Sequence, residues 1–129
     1  MESNYQKLIV WQKAMQLVTC VYQLTEDFPK IEVYGITNQM RRSAVSIPSN
    51  IAEGSQRRTN KDFIYFLRNS KASSAELETQ LFIAENLKYL KNFELYKQCH
   101  AFILEIRKML SALESKLTPN SNLQTPNLS

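Results

Sequence analysis

The sequence predicts an all-α protein, folded as an antiparallel up-down-up-down four-helix bundle and oligomeric. Only two glycines and four prolines occur in 129 residues, whereas small sheet-rich domains need more turn residues than that. Apolar residues recur at spacings of three and four along four long segments, as they do in amphipathic helices. The connections between these segments are short, and short connections favour antiparallel neighbours in a bundle.

The first predicted helix runs from Asn4, which can cap it, to about Phe28, where Pro29 ends it. Its apolar residues form two stripes that together cover an arc of about 200°. One stripe is Leu8, Trp11, Met15, Val18 and Tyr22, and the other is Val10, Ala14, Leu17, Val21, Leu24 and Phe28. A helix at the edge of a monomeric bundle usually needs little more than half of this arc. We therefore expect the surplus face to pack against another subunit.

The second predicted helix follows a connector that is closed by Gly35. Thr37 can cap this helix, and Gly54 suits the position just after its end. Its core stripe is Ile36, Met40, Ala44, Ile47 and Ile51. Pro48 lies inside this segment, so we expect a kink or a break there, because proline removes a backbone donor and clashes with the preceding turn.

A polar stripe accompanies the core stripe of the second helix and consists of Gln39, Ser43, Ser46, Asn50 and Glu53. Two interpretations remain open from the sequence. The stripe either faces solvent or is partly buried at a helix or subunit interface, with Glu53 paired to Arg57 one turn later. In the second case Gln39, Ser46, Asn50 and Glu53 form a polar interface.

The third and fourth predicted helices both begin at capping residues. Thr59-x-x-Asp62 resembles a capping box and begins a long helix that ends near Leu90. Its core face is Phe63, Phe66, Leu77, Leu81 and Ala84, with Ser70 and Ser74 between them. Asn92 caps the fourth helix, whose core stripe is predicted to be Leu95, Cys99, Phe102, Ile106, Met109, Leu113 and Leu117.

The bundle domain is predicted to span residues 1–118, and the polar tail 119–129, rich in Pro, Asn and Ser, is predicted to be disordered. No apolar run approaches the ~20 residues that cross a bilayer, and the N-terminus lacks the zones of a signal peptide. We therefore expect a cytoplasmic protein without membrane contact. Cys20 and Cys99 lack metal-type spacing and lie within apolar patterns, so we expect buried free thiols.

Residue types that carry catalysis are sparse. His100 is the only histidine, and with the neighbouring Cys99 it cannot make a zinc site without ligands from elsewhere. We expect it at a helix surface or core edge. Glu76 and Glu78 point in different directions on a helix, and two glycines in total exclude a glycine-rich phosphate loop. The sequence thus predicts a protein that is not an enzyme, with no catalytic residues, bound metal or cofactor.

The excess positive charge lies in one quarter of the chain. Residues 41–71 carry a net charge of +5, whereas the rest of the chain carries −1. The basic residues of this segment are Arg41, Arg42, Arg57, Arg58, Lys61, Arg68 and Lys71. A concentrated basic segment favours phosphates, and arginine binds phosphate bidentately. The segment therefore predicts backbone-driven, salt-sensitive binding of RNA or DNA, through either one band or two patches.

Residues 34–54, YGITNQMRRSAVSIPSNIAEG, resemble the four-helix-bundle family encoded in 23S ribosomal RNA intervening sequences. Further segments that are similar to this family are VWQKA at 10–14, YQLTEDFP at 22–29, FIYFL at 63–67 and ELETQL at 76–81. The resemblance implies an antiparallel bundle that assembles as a homopentamer. A related branch, the accessory variability determinants of diversity-generating retroelements, binds nucleic acid and a reverse transcriptase through basic surfaces. Carried over, this points to Arg41, Arg42, Arg57 and Arg58.

Two functional hypotheses follow. In the first, a non-catalytic oligomeric bundle contacts RNA or DNA phosphates through its basic second and third helices. In the second, the protein is a structural adaptor for a protein partner, which includes a nucleic-acid-associated protein, and its arginines pair with acidic side chains. Arginines clustered on one open face would favour the first hypothesis, and arginines buried against Glu53 or Glu78 would favour the second.

Overall fold

The structure is a computed structural model that describes residues 4–119. Within this range it contains four α-helices and no strand, which confirms the all-α class. The helices are α1 (Ile9–Thr25), α2 (Ile36–Ser55), α3 (Asn60–Asn86) and α4 (Phe93–Leu117), with short 3-10 helices at Asn4–Lys7 and Lys30–Glu32. The predicted tail 119–129 lies outside the described residues except for Pro119.

One core joins the four helices. Helices that follow one another in the chain pack together, and α1 also packs against α4, so each helix has two neighbours. The core stripe predicted for α2 is buried throughout, and so is the second stripe predicted for α1. On α3 the buried apolar residues are Leu67, Leu77, Leu81 and Ala84. None of the helices within residues 4–119 combines the length and the apolar character that crossing a bilayer requires.

The first apolar stripe of α1 is only partly covered by the chain itself. Leu8, Trp11 and Val18 are half-buried against the core. Met15 and Tyr22, which continue the same stripe, keep 43% and 42% of their surface exposed. The surplus apolar face that the sequence indicates is therefore open to solvent in the single chain.

The beginnings of α1 and α2 differ from the prediction. Leu8, rather than Asn4, is the N-cap residue of α1, and it makes no side-chain capping bond. Gly35 is the N-cap of α2, which places Thr37 inside the first turn. There the hydroxyl of Thr37 is buried without a hydrogen-bond partner. Both capping assignments were wrong, and in each helix the first buried apolar residue, Val10 in α1 and Ile36 in α2, lies within the first two positions.

The second helix does not break at Pro48. It continues as one element from Ile36 to Ser55, with Pro48 buried inside it. A proline in a helix interior costs about 3 kcal/mol, and here the packing of α2 against α3 offsets that cost. Gly54 also lies inside the helix, in its last turn, rather than after its end as predicted.

The capping residues predicted for α3 and α4 are confirmed. Thr59 Oγ1 accepts a hydrogen bond from the Asp62 backbone N–H at 3.1 Å, and Asn92 Oδ1 accepts one from the Leu95 N–H at 3.0 Å. The end of α3 was predicted too late. The chain leaves the helix after Asn86 and reverses at Lys88, whose φ of 61° is left-handed.

The buried face of α4 is rotated from the predicted stripe. Its buried residues are Tyr96, Cys99, Ile103, Ile106 and Leu110. The predicted core residues Leu95, Phe102, Met109, Leu113 and Leu117 flank this face and are half-buried. Cys20 and Cys99 are free and buried, and His100 lies at the core edge, as predicted.

Candidate nucleic-acid interface

The basic residues divide into two groups that α2 separates. Arg41 and Arg42 lie in the second turn of α2, whereas Arg57 and Arg58 follow its end. At 1.5 Å of rise per residue, the helix between these groups is about 20 Å long. The sequence leaves a band and two patches open, and the fold places the residues in two patches.

Arg41 belongs to the contact between α2 and α1. Its Nε donates to Thr25 Oγ1 at 2.8 Å, its guanidinium lies 3.5 Å from the Glu26 carboxylate, and its Cζ sits 4.5 Å from the centre of the Tyr22 ring. These contacts engage the guanidinium group of Arg41 within its own chain. Arg42 is exposed and, within residues 4–119, its side chain has no hydrogen bond or ion pair.

Arg57 and Arg68 are also paired with carboxylates. Arg57 lies 2.6 Å from the Glu53 carboxylate, one turn earlier, and its guanidinium stacks 4.7 Å from the centre of the Phe66 ring. Arg68 on α3 reaches across to α4, where its Nε and a terminal nitrogen donate to Glu114 Oε2 at 3.2 and 3.0 Å. Both pairs lie at the surface, where ion pairs contribute little to stability and exchange readily for other partners.

Three further basic residues near the α2–α3 turn and on α3 have no acidic partner among residues 4–119. Arg58 and Lys61 are exposed, Lys71 is half-buried, and in the part of the chain that the structure describes their side chains form no hydrogen bond or ion pair. Lys61, Arg68 and Lys71 are spaced by seven and then three residues, which places them along one side of α3. We call these three residues, together with Arg58 in the turn before the helix, the α3 row.

Lys61 and Arg68 of the α3 row border a surface groove of about 650 Å³ that the sequence does not reveal. The residues lining this groove are Asn60, Lys61, Asp62, Ile64, Tyr65, Arg68, Thr118 and Pro119. Tyr65 is 62% exposed there, between Lys61 and Arg68. No aromatic residue interleaves with the arginines before Phe63, so the sequence does not indicate recognition by base stacking. Tyr65 follows Lys61 by four residues and precedes Arg68 by three, and this helical spacing is the signal that places it beside them.

Side chains near the α2–α3 turn are partly engaged within the chain. Ser55 donates to the Ala52 carbonyl at 2.7 Å. Asn60 donates to the Leu117 carbonyl at 3.3 Å and so ties this turn to the end of α4. The amides at the N-terminus of α3 therefore lie in a surface held at fixed geometry, and helix N-termini favour anions.

The polar stripe of α2 lies mostly against α3. Ser43 donates to Glu76 Oε1 at 2.9 Å, and the hydroxyls of Ser46 and Ser73 are 2.8 Å apart. Asn50 donates to the Ser46 hydroxyl at 3.0 Å. Of the predicted polar interface, Ser46 and Asn50 thus belong to the seam between α2 and α3, while Gln39 and Glu53 are exposed at its ends.

A polar groove of about 390 Å³ runs along this seam, and its walls include Gln39, Arg42, Glu76 and Gln80. Gln80 is 8% exposed, and its Oε1 has no hydrogen-bond partner. Gln80 follows Glu76 by one helical turn, and this spacing is the signal that could have placed both on the seam.

Glu78, His100 and Arg107 form a second polar cluster that the sequence does not reveal. Glu78 Oε2 lies 2.7 Å from His100 Nε2, and its Oε1 accepts from Arg107 at 2.9 Å. The contact with His100, and to a lesser extent Arg107, holds the pKa of Glu78 below its usual value against the opposing effect of burial. This cluster joins α3 to α4. Within residues 4–119 no three His, Cys, Asp or Glu side chains are placed to hold a metal ion.

The chain is similar to known proteins over most of its length. The family model described as 23S rRNA-intervening sequence protein matches residues 6–112, which confirms the resemblance of residues 34–54. A protein of unknown function from the S23 ribosomal protein family of Bacteroides thetaiotaomicron has 24% identity and a TM-score of 0.71, over 81% of this chain and 97% of that chain. At this identity the likeness shows the fold alone. No curated protein matches the chain.

Proposed function

Since the chain belongs to the 23S rRNA-intervening sequence protein family, we propose that it is a non-catalytic, cytoplasmic, oligomeric bundle that binds RNA or DNA. The observation that carries the proposal is the α3 row, in which Arg58, Lys61 and Lys71 have no carboxylate partner among residues 4–119. The family description refers to 23S rRNA, so RNA is the first ligand to test.

The α3 row suits a phosphate backbone in charge and in length. Lys61 and Lys71 are ten residues apart on a continuous helix, or about 15 Å. Successive phosphates of a duplex strand advance by about 3.4 Å along the axis, so this length spans roughly four phosphates. Unpaired cations bind phosphates without first breaking an ion pair. Arg68 adds a planar fork that can exchange Glu114 for a phosphate.

Tyr65 gives the same surface a way to bind single strands. Its exposed ring lies in the groove that Lys61 and Arg68 border. Bases stack on aromatic rings with little dependence on sequence, while neighbouring cations hold the backbone. The combination favours single-stranded or looped nucleic acid over a uniform duplex, with low sequence specificity.

The proposal includes an antiparallel up-down-up-down arrangement. The contacts between α2 and α3 support it for this pair, because Ser43 bonds to Glu76, and Ser46, three residues later, contacts Ser73, three residues earlier. The short connections support it for the other pairs.

The proposal also includes self-association, as a homopentamer by family resemblance. The half-exposed stripe on α1 supports it, since Met15 and Tyr22 continue a row that the chain's own core covers only in part. Exposed apolar rows of this kind are typical of subunit contacts. An oligomer would present several α3 rows to one nucleic acid, which raises the overall affinity without new contacts.

The adaptor hypothesis is the second candidate, and specific contacts favour it. Arg41, Arg57 and Arg68 are held against Glu26, Glu53 and Glu114. These arginines then serve the fold, and the exposed apolar face receives a protein partner instead of another subunit. The two hypotheses differ in what they expect of the unpaired cations, because only nucleic-acid binding requires them.

Fluorescence anisotropy with labelled RNA and DNA over a salt series tests the proposal. We expect affinity that falls steeply with salt. In the triple variant Arg58→Gln, Lys61→Gln and Lys71→Gln, affinity should drop, and the slope of log K against log salt should shrink by about two for single strands and by nearly three for a duplex. The matched control is Lys30→Gln, Lys88→Gln and Lys91→Gln. This control removes the same charge from exposed lysines in the α1–α2 and α3–α4 connections, and it should keep the wild-type slope.

Two outcomes would contradict the proposal. One is an absence of binding at low salt while circular dichroism and the oligomer remain intact, which would leave the adaptor hypothesis. The other is an equal loss of affinity in both triple variants, because net charge rather than the α3 row would then govern binding.

A further inference from the structure

Cys20 and Cys99 meet in the core, although 79 residues separate them in the chain. Cys20 lies on α1 and Cys99 on α4, and they are 4% and 0% exposed. Their sulfur atoms are 2.7 Å apart, with Cys99 donating to Cys20. Neither the family match nor the proposed nucleic-acid binding uses this pair.

We propose that Cys20 and Cys99 form a site of reversible oxidation, at which a small-molecule disulfide such as oxidised glutathione links α1 to α4. A disulfide needs two cysteines on adjacent backbones whose Cβ atoms face each other, with sulfurs about 2.05 Å apart when bonded. α1 and α4 are packed neighbours, and both side chains point into their shared contact. The sulfurs therefore need to move by less than 1 Å in total, roughly, to reach bonding distance.

The reaction consists of two thiol–disulfide exchanges. The Cys20 thiolate attacks one sulfur of oxidised glutathione, its proton having passed to solvent, and a glutathione thiolate leaves. The Cys99 thiol then loses its proton, and its sulfur attacks the Cys20 sulfur, which expels the second glutathione. Two protein thiols are oxidised by two electrons, one glutathione disulfide is reduced to two glutathione thiols, and each released thiolate takes up a proton.

Cys20 is the sulfur that reacts first. The hydrogen bond from Cys99 lowers the pKa of Cys20 against the effect of burial, whereas the same contact and burial both raise the pKa of Cys99. The lower pKa gives Cys20 more of the reactive thiolate. Cys20 is also slightly exposed, while Cys99 is fully covered.

Access to the pair follows from its place near the beginning of α4. Cys20 Sγ lies 3.8 Å from the carbonyl oxygen of Leu95, in the first turn of that helix. Phe93, the first residue of α4, is 57% exposed, so the turn that covers the sulfurs is itself near solvent. Helix ends open at lower free-energy cost than helix centres, and opening this turn, which also displaces the buried Tyr96, exposes Cys20.

Oxidation should stabilise the fold, because the bond closes a long loop in the unfolded chain. For a loop of 79 residues the expected rise in Tm is on the order of 10 °C. The bond would also fix α4 against α1 at one end of the bundle.

Incubation of the full native chain in graded ratios of reduced to oxidised glutathione tests the proposal. Acid quenching, unfolding, alkylation and intact mass then report the state of each thiol. We expect a chain that is lighter by the mass of two hydrogens, with neither thiol alkylated and no disulfide to a second chain. Its Tm should be higher, and a reducing agent should reverse this rise. The same chain unfolded in guanidinium shows that the reagent is competent.

Single variants separate this chemistry from simple packing. Cys99→Ala should accumulate a glutathione adduct at Cys20, whereas in Cys20→Ala an adduct at Cys99 should form more slowly, because Cys99 is fully covered. The doubly substituted chain should show no change in Tm with oxidant. Two alkylatable thiols in the native chain at the most oxidising ratio would overturn the proposal, and so would glutathione adducts without the internal bond.

Discussion

Gly54 shows how a single residue sets the distance between two helices. A Cβ atom at this position would lie 2.7 Å from Phe66 Cβ and 2.9 Å from Phe63 Cδ1, both on α3. Phe66 Cβ is fixed to its backbone, so the neighbour cannot rotate away. The absence of a side chain, rather than a special backbone angle, is what α2 requires here.

Gly54→Ala should therefore destabilise the protein, although alanine is the better helix former. Overpacking costs about 1–3 kcal/mol, which outweighs the gain of about 1 kcal/mol in helix propensity. Urea unfolding measures the difference in free energy of unfolding. Ser49→Ala, at an exposed position of the same helix, is the control and should leave stability unchanged or slightly higher. A Gly54→Ala chain as stable as wild type would mean that α3 moves away freely.

At the same scale, the residues of the candidate interface could be predicted only in part. The seven basic residues follow from composition, but their partners do not, because Glu26 and Glu114 are far from Arg41 and Arg68 in sequence. Tyr65 follows Lys61 by four residues on the same helix, so its position beside the α3 row could be predicted from the sequence.

The four helices differ in how far their sequences determine their boundaries. Thr59 and Asn92 each bond the backbone N–H three residues later, and this geometry depends on local sequence alone. These two beginnings could be predicted for that reason. Thr37 has the same chemistry, but the apolar Ile36 before it is buried in the core, and the helix begins two residues earlier, with Gly35 as its N-cap.

Removal of either cap should weaken the fold by a similar amount. Thr59→Ala and Asn92→Ala each leave one amide of the first helical turn without its partner, at a cost of about 1 kcal/mol. Thermal and urea unfolding provide the measurement. The conservative variants Thr59→Ser and Asn92→Asp keep an acceptor oxygen and should retain wild-type stability. Equal stability of the alanine and conservative variants would contradict this role.

The face that α4 buries could not be predicted, because α4 is apolar over too wide an arc. The adjacent apolar pairs Leu95 and Tyr96, Phe102 and Ile103, and Met109 and Leu110 recur every seven residues, which is every second turn. Either member of each pair continues a helical stripe. The positions of α1 and α3 on either side select Tyr96, Ile103 and Leu110 as the buried members.

Across the whole molecule, the fold redistributes a charge that is concentrated in the sequence. The chain carries a net charge of +4, and one segment supplies +5. Packing brings carboxylates from α1 and α4 to Arg41 and Arg68, and α2 holds the two basic patches apart. Of the seven basic residues of segment 41–71, Arg42, Arg58, Lys61 and Lys71 remain unpaired within residues 4–119, and Lys61 lies beside the exposed ring of Tyr65.

Lysine acetylation footprinting on the wild-type chain, with and without RNA, tests the central claim most directly because it changes no residue. Bound RNA should protect Lys61, and to a smaller extent the half-buried Lys71, from acetylation. Lys91 and Lys108, which are exposed elsewhere, should label at the same rate in both samples. RNA that is bound at saturation while Lys61 and Lys71 label at their free rates would contradict binding through the α3 row.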